Sequence, residues 1–279
     1  MKTLTLGYSP CPNDTFIFYG LIHGKVPLKG IRIEEHLEDV ETLNRLARQG
    51  RLDLTKVSYH AFGLLRQDYL LLRSGGALGR GCGPLVVARQ PLTMDQLRGK
   101  TIAIPGQMTT ANLLLQLYGE GFENSIEMTF DRIMSAVAAG QVDAGVIIHE
   151  SRFTYPQHGL VKILDLGQWW EEETGHPIPL GGILARRSLG QKLISTIDRA
   201  LKDSVLFALA HPESTGAYIR QHAQELSDEV VRSHIGLYVN DFSVDLGDEG
   251  IGAIEDLFAR AEQRGLLPRC DLPLFNPGE

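Results

Sequence analysis

The sequence predicts an α/β protein made of two similar units with a ligand cleft between them, on three observations. Residues 3–58 and 101–148 repeat one order of elements: strand, helix, strand, helix, strand. The closest internal match lies at an offset of 90 residues, Ala47-Arg48-Gln49-Gly50-Arg51-Leu52-Asp53 against Val137-Ala138-Ala139-Gly140-Gln141-Val142-Asp143. Both stretches read as a helix closed by a left-handed glycine and followed at once by a buried strand. Finally, two short apolar runs between glycines and Ala-Arg, residues 83–89 and 181–187, sit where one unit hands over to the other. They read as paired crossover strands forming a two-stranded hinge, which divides the chain into 1–88 plus 186–279 and an inserted unit, 89–185.

The elements follow in order. Leu4, Leu6 and Tyr8 alternate with Thr3, Thr5 and Gly7, a half-buried strand. The loop Ser9 to Asp14 turns into a helix over Thr15–His23, with Asn13 or Asp14 as N-cap. A strand at Ile31–His36, a helix at Val40–Gln49 with Leu43, Leu46 and Ala47 on one face, and a strand at Leu52–Val57 complete the first half-unit. The second repeats it with Thr101–Ile104, a helix from Thr109 or Thr110 to Tyr118, Ile126–Thr129, Asp131–Ala139 and a strand from Val142 to Ile148. Beyond Ser188 the pattern is helical, at 189–210, 213–222, 227–239 and 247–264, and these helices are expected to complete the core of the first unit. The tail from Pro268, with Pro273 and Pro277, reads as extended, an arm towards a neighbouring subunit of a homodimer.

Composition narrows the function. A chain of 279 residues, 43% hydrophobic and 22% charged, can fill two ordinary cores. A formal charge of -7 argues against nucleic acid and anionic membrane as partners, while leaving room for one small anion in a basic pocket. Neither a secretory leader nor a membrane-length apolar run is present in the sequence, so the expected location is cytoplasmic. Three cysteines, Cys11, Cys82 and Cys270, without CxxC spacing fit a reducing compartment and no structural metal.

The chemistry gathers at the ends of predicted strands, where open α/β sheets hold their ligands. After the apolar run from Ala144 to Ile148 come His149, Glu150, Ser151 and Arg152, an imidazole, a carboxylate, a hydroxyl and a guanidinium in succession. A histidine there is placed as a catalytic base. His149-Glu150 begins like HExxH, but Phe153 stands where the second histidine would be, so zinc is excluded. Lys56, Val57 and Ser58 occupy the equivalent strand end of the first unit. Thr109 and Thr110 at a helix start would turn hydroxyls and unpaired N–H groups towards the cleft. The glycine-rich stretch Gly75 to Gly83 runs into Pro84 and a strand, so it is no dinucleotide fingerprint; it reads as a loop close to a ligand or to the opposite unit. Of Trp169 and Trp170, one is expected to pack inward.

Several of these stretches resemble one family. Ser9 to Tyr19 (SPCPNDTFIFY), Val40 to Asn44 (VETLN), Ser74 to Gly81 (SGGALGRG), Ile148 to Tyr155 (IHESRFTY) and the Trp169-Trp170 segment closely resemble the 1,4-dihydroxy-6-naphthoate synthases of the futalosine route to menaquinone. The resemblance implies the two-domain fold of type II periplasmic binding proteins, with two crossover strands and the ligand in the cleft between domains. It further implies a carbon–carbon lyase that needs no cofactor, converting cyclic dehypoxanthinyl futalosine, a small-molecule carboxylate, to the naphthoate and a three-carbon fragment. Under it His149 is the base, and Lys56, Val57, Ser58, Thr109 and Thr110 contact substrate. Asn13, Asp14, Glu150 and Arg152 are further candidates from their positions alone. Two alternatives share the architecture, a cytosolic solute-binding protein and chorismate dehydratase of the same pathway.

Overall fold

The computed structural model of the chain describes residues 1–223 and 227–276, and in it the internal repeat becomes two sheets. The first half-unit comprises β1 (Lys2–Tyr8), α1 (Pro12–Ile22), β2 (Ile31–Leu37), α2 (Val40–Arg48) and β3 (Leu54–Ser58). There follow α3 (Tyr59–Leu65), β4 (Tyr69–Leu71), β5 (Ala77–Gly79) and β6 (Leu85–Ala88). The second half-unit comprises β7 (Ile102–Ile104), α4 (Thr110–Tyr118), β8 (Ser125–Glu127), α5 (Phe130–Ala138) and β9 (Ala144–Ile147). It continues through α6 (Ser151–Thr154), β10 (Val161–Asp165), α7 (Leu166–Thr174) and β11 (Ile178–Arg186). The helices α8 (Gln191–Ala210), α9 (Pro212–His222), α10 (Asp228–Tyr238), α11 (Asp241–Val244) and α12 (Gly247–Gln263) close the chain.

The sheets have matching topology. The first is ordered β2-β1-β3-β11-β4, with β5 also on β11, and the second reads β8-β7-β9-β6-β10. In each, the first three strands are parallel and the fourth antiparallel. The crossover strands therefore do not pair with each other as expected. Instead β6 leaves the first unit to lie beside β9, with Val86 opposite Val146, and β11 returns to lie beside β3, with Gly182 opposite Val57. Each fills the one open edge next to a central strand, which satisfies a full ladder where a separate two-stranded hinge would leave edges bare.

The finer match also holds in space. Gly50 and Gly140 both adopt left-handed backbone, with φ of 64° and 70°. Asp53 accepts from Thr5 N and Asp143 from Thr101 N, each at 3.0 Å. A methyl group on either glycine would run into an arginine, Arg186 at the end of β11 or Arg89 just after β6.

Other expectations shift for physical reasons. Helix α1 starts at Pro12, not Thr15, and its N-cap is Cys11. Proline has no N–H to lose at the first helical position and its φ is already helical, so it seeds the helix. Asn13 and Asp14 thus lie inside the first turn instead of capping it. Helices α8, α9 and α10 pack on α1, but α12 reaches both units, with Phe258 against Phe62, and Arg260 over the ring of buried Trp170 and near Glu173. Trp169 is half-buried edge-on to Tyr118. The tail folds back on its own chain: Leu274 O accepts from Leu71 N, and Asn276 binds Gln191 O and Ser195 Oγ. Pro277 lies outside the described residues. Among the described residues no helix is long and apolar enough to cross a membrane.

Candidate functional site

The ends of β3 and β9 face one cavity between the two sheets. Asn13, Asp14, Lys56, Val57, Ser58, Thr109, Thr110 and His149 all line it. The structure thus brings together the base candidate, both strand ends and the paired threonines, drawn from chain positions more than 130 apart. Such a concave, mostly apolar chamber with a few convergent polar groups is how small-molecule sites are built.

His149 has the only left-handed non-glycine backbone among the described residues, with φ at 57°. Such a conformation costs of order 1–3 kcal/mol and persists only where the surroundings enforce it. Here the turn ends β9 abruptly and aims the imidazole into the cavity, edge-on to Phe130 at 5.1 Å between ring centres. Burial pushes the His149 pKa below the ordinary imidazole value; Glu150 and Asp14 pull it back up, and Lys56 lowers it further. The ring is therefore neutral near pH 7, able to take a proton.

On the opposite wall Lys56 Nζ donates to Asp14 Oδ1 at 2.8 Å, and both side chains are buried. Asp14 also accepts from Asn13 Nδ2 on Oδ1, and from Ser9 N and Ser9 Oγ on Oδ2. These bonds offset the desolvation that a bare buried ion pair would suffer. Lys56 keeps further N–H donors for a ligand. Ser58 is held by its backbone, whose N–H donates to Asn44 Oδ1 at 3.0 Å.

The VETLN stretch explains itself at this point. Asp39 caps α2 through the N–H groups of Glu41 and Thr42. Asn44 fixes Ser58, while buried Glu41 accepts from Met108 N, across the cleft, at 3.2 Å. Gly106 leaves no room for a Cβ, which would sit 2.5 Å from the Glu41 carboxyl. Helix α2 of the first unit thus grips the loop that starts α4 in the second.

The threonine hydroxyls are less available than their position suggests. Thr109 Oγ1 donates to Gly106 O and accepts from Asn112 N as the cap of α4, and Thr110 Oγ1 donates to Leu180 O at 2.6 Å. What this helix start offers the cavity is the N–H groups of Thr110 and Ala111, which have no intrahelical acceptor.

Glu150 and Arg152 stand outside the cavity lining. Arg152 donates to Gly83 O and to Asp165 Oδ2, tying the loop before β6 to the start of α7. Glu150 faces His234. The glycine-rich loop does reach the site, through Ala77 and Cys82, and Gly83 packs directly on Gly167. Burial pushes the Cys82 thiol up to about 12 and that of Cys11 well above its usual range, so both remain neutral thiols. Tyr238 and Leu180, unmarked by the sequence reading, complete the lining. The one available signal was the i, i+4 spacing of His234 and Tyr238, which places both on one face of a helix. Among the described residues no three His, Cys, Asp or Glu side chains converge as a metal site.

Comparison with known proteins agrees with this architecture. A family model described as menaquinone biosynthesis matches residues 4–263. A Thermus thermophilus protein named 1,4-dihydroxy-6-naphtoate synthase is 59% identical over 275 residues, covering 99% of this chain and 100% of that one. A Streptomyces coelicolor protein of the same name is 46% identical over 271 residues, 95% of each chain. A crystal structure of an Archaeoglobus fulgidus protein superposes with a TM-score of 0.89 at 39% identity, covering 95% of this chain and 98% of that one. The alkanesulfonate-binding protein SsuA of Xanthomonas axonopodis pv. citri superposes at 0.72 with 16% identity, over 96% and 95% of the two chains, and shares the fold alone.

Proposed function

Since this chain belongs to the menaquinone-biosynthesis family, we propose that it acts as a 1,4-dihydroxy-6-naphthoate synthase in which His149 is the general base. Cyclic dehypoxanthinyl futalosine is the substrate in this reading, and the reaction is a carbon–carbon lyase step without a cofactor that releases a three-carbon fragment. Aromatisation of the product to a naphthalene supplies much of the driving force. The protein's task is to start and steer proton movement, and one positioned base typically contributes 10² to 10⁴-fold.

The observation that carries the reading is His149 itself, neutral by burial and held in left-handed backbone with its ring in the cavity. It removes the proton that opens the spiro-linked sugar ring. Ser58 Oγ, Lys56 Nζ and the Thr110 and Ala111 N–H groups receive oxygen atoms of the substrate, the anionic ones at the start of α4. Thr109 and Thr110 act through their backbone and their capping bonds more than through free hydroxyls. Orientation within the cavity and exclusion of water supply the rest.

The test is incubation of purified protein with the cyclic substrate while naphthoate absorbance is followed. Wild type should generate the product, and His149→Asn, which tolerates left-handed backbone, should bind substrate while turnover disappears. Turnover retained in His149→Asn and His149→Ala would sink the assignment.

A further inference from the structure

From the wall opposite His149 a buried polar chain, whose hydrogen atoms can be counted, runs by way of Asn13 to His234 and Glu150. Lys56 Nζ and Asn13 Nδ2 both donate to Asp14 Oδ1, at 2.8 and 2.9 Å. A carboxylate can only accept, so the Asn13 amide is fixed with its NH₂ towards Asp14 and its oxygen outward. That oxygen, Oδ1, lies 2.9 Å from His234 Nε2. A carbonyl oxygen cannot donate, so the hydrogen in this contact belongs to His234 Nε2. The other ring nitrogen, Nδ1, then points a lone pair at Glu150 Oε2, 4.0 Å away.

Neither of these two facing atoms has a hydrogen-bond partner among the described residues, although both are buried. With a neutral imidazole and an ionised carboxylate, two acceptors would confront each other out of reach of solvent, an arrangement native proteins avoid. A single added hydrogen turns this confrontation of two acceptors into a donor facing an acceptor. We propose that His234 Nδ1 and Glu150 Oε2 hold one proton between them, so that the pair presents no net charge to His149 and acts as the positioning group that keeps this ring a neutral base.

The neighbourhood is consistent with that role. The His149 and His234 rings are nearly parallel, 21° apart, with centres 6.2 Å from each other. Tyr238 closes the remaining side of the His234 ring at 4.6 Å. The titratable groups around the pair are His149 and Lys56 towards the cavity, Asp14 beyond Asn13, Cys11 and Tyr238 within electrostatic reach of Glu150, and Arg152 near Tyr238. Burial, His149 and Lys56 all drive His234 away from its charged form. Chain distance hides this arrangement: Glu150 follows the base directly, whereas His234 comes from α10.

Charge counting supplies the test. If one proton is held, the pair is neutral in wild type, still neutral in Glu150→Gln, and singly negative in His234→Gln. If the carboxylate is bare or merely bridged by water, wild type and His234→Gln are both negative and only Glu150→Gln is neutral. The His149 titration is read by ring NMR in all three proteins, with His149→Asn identifying its resonance. The proposal expects His234→Gln to raise the His149 pKa by about one unit and Glu150→Gln to leave it in place. The reverse pattern, a fall in Glu150→Gln with His234→Gln unmoved, overturns it. Should His234→Gln fail to fold, Glu150→Gln decides alone, an unmoved titration supporting the shared proton and a fall refuting it. The inference rests on His149 being the base only in its role. The NMR arm needs no turnover, so failure of the pair and failure of the proposed activity remain separable.

Discussion

The ends of β3 and β9 occupy equivalent places in two sheets of the same topology, yet they do opposite things. Lys56, Val57 and Ser58 continue the β3 ladder beside β11 and pass straight into α3 in ordinary extended backbone. Ile147 is the last residue of β9, and two residues later His149 turns left-handed. One wall is satisfied and offers a charge already paired with Asp14; the other is strained and offers an uncharged nitrogen. Duplication supplied two facing walls, and the departure from symmetry at His149 supplied the reactive group.

The largest break in this comparison comes from the satisfied wall. Lys56→Met leaves Asp14 buried without its cation and should cost about 3–5 kcal/mol in urea unfolding. Glu150→Gln, next to His149 but outside the cavity lining, removes no ion pair between opposite charges at hydrogen-bond distance and should cost clearly less. Equal losses would mean that the ion pair adds little to the first wall.

A smaller effect sharpens the equivalence itself. Gly50→Ala and Gly140→Ala each force a side chain into left-handed backbone and against an arginine. Each should lower stability by about 1–2 kcal/mol, and by similar amounts. A loss at one site alone would show that the repeat is topological without being energetic.

The smallest effect is on pH dependence. Burial lowers the pKa of His149, and also of His60, whose Nδ1 contacts Thr109 O. Below about pH 6.5 the unfolded chain binds protons that these folded groups refuse. Stability therefore falls as pH drops, at no more than about 1.4 kcal/mol per pH unit for each group. His60→Asn and His149→Asn should each flatten that slope in urea titrations between about pH 5 and 7. An unchanged slope in both would place the acid sensitivity elsewhere.

Much of this was legible in the residues. The alternation of Leu4, Leu6 and Tyr8, the glycine stops at Gly50 and Gly140, and the cap at Thr109 are local signals, each contained in one short window. So was the position of His149 after an apolar strand. Three things escaped. Pro12 moved the start of α1 because a helix begins where its first residue lacks an N–H to satisfy, and the reading gave that place to a polar cap. Helix α3 leaves no periodic signal, because its apolar residues, Tyr59 to Leu65, are buried almost all round and show no stripe. The free hydroxyls expected of Thr109 and Thr110 turned out to be engaged by carbonyls, Gly106 O nearby in the chain and Leu180 O on a distant strand.

By itself, then, the sequence determined the elements, their repeat and the chemistry at two strand ends, because backbone preference and hydrophobic period act over a few residues. Only tertiary structure decided that β6 and β11 join different sheets, that α2 grips the loop before α4, and that His234 lies beside His149. Those outcomes depend on which edges and buried polar groups remain to be satisfied once the whole chain is packed, and no short stretch of residues contains that information.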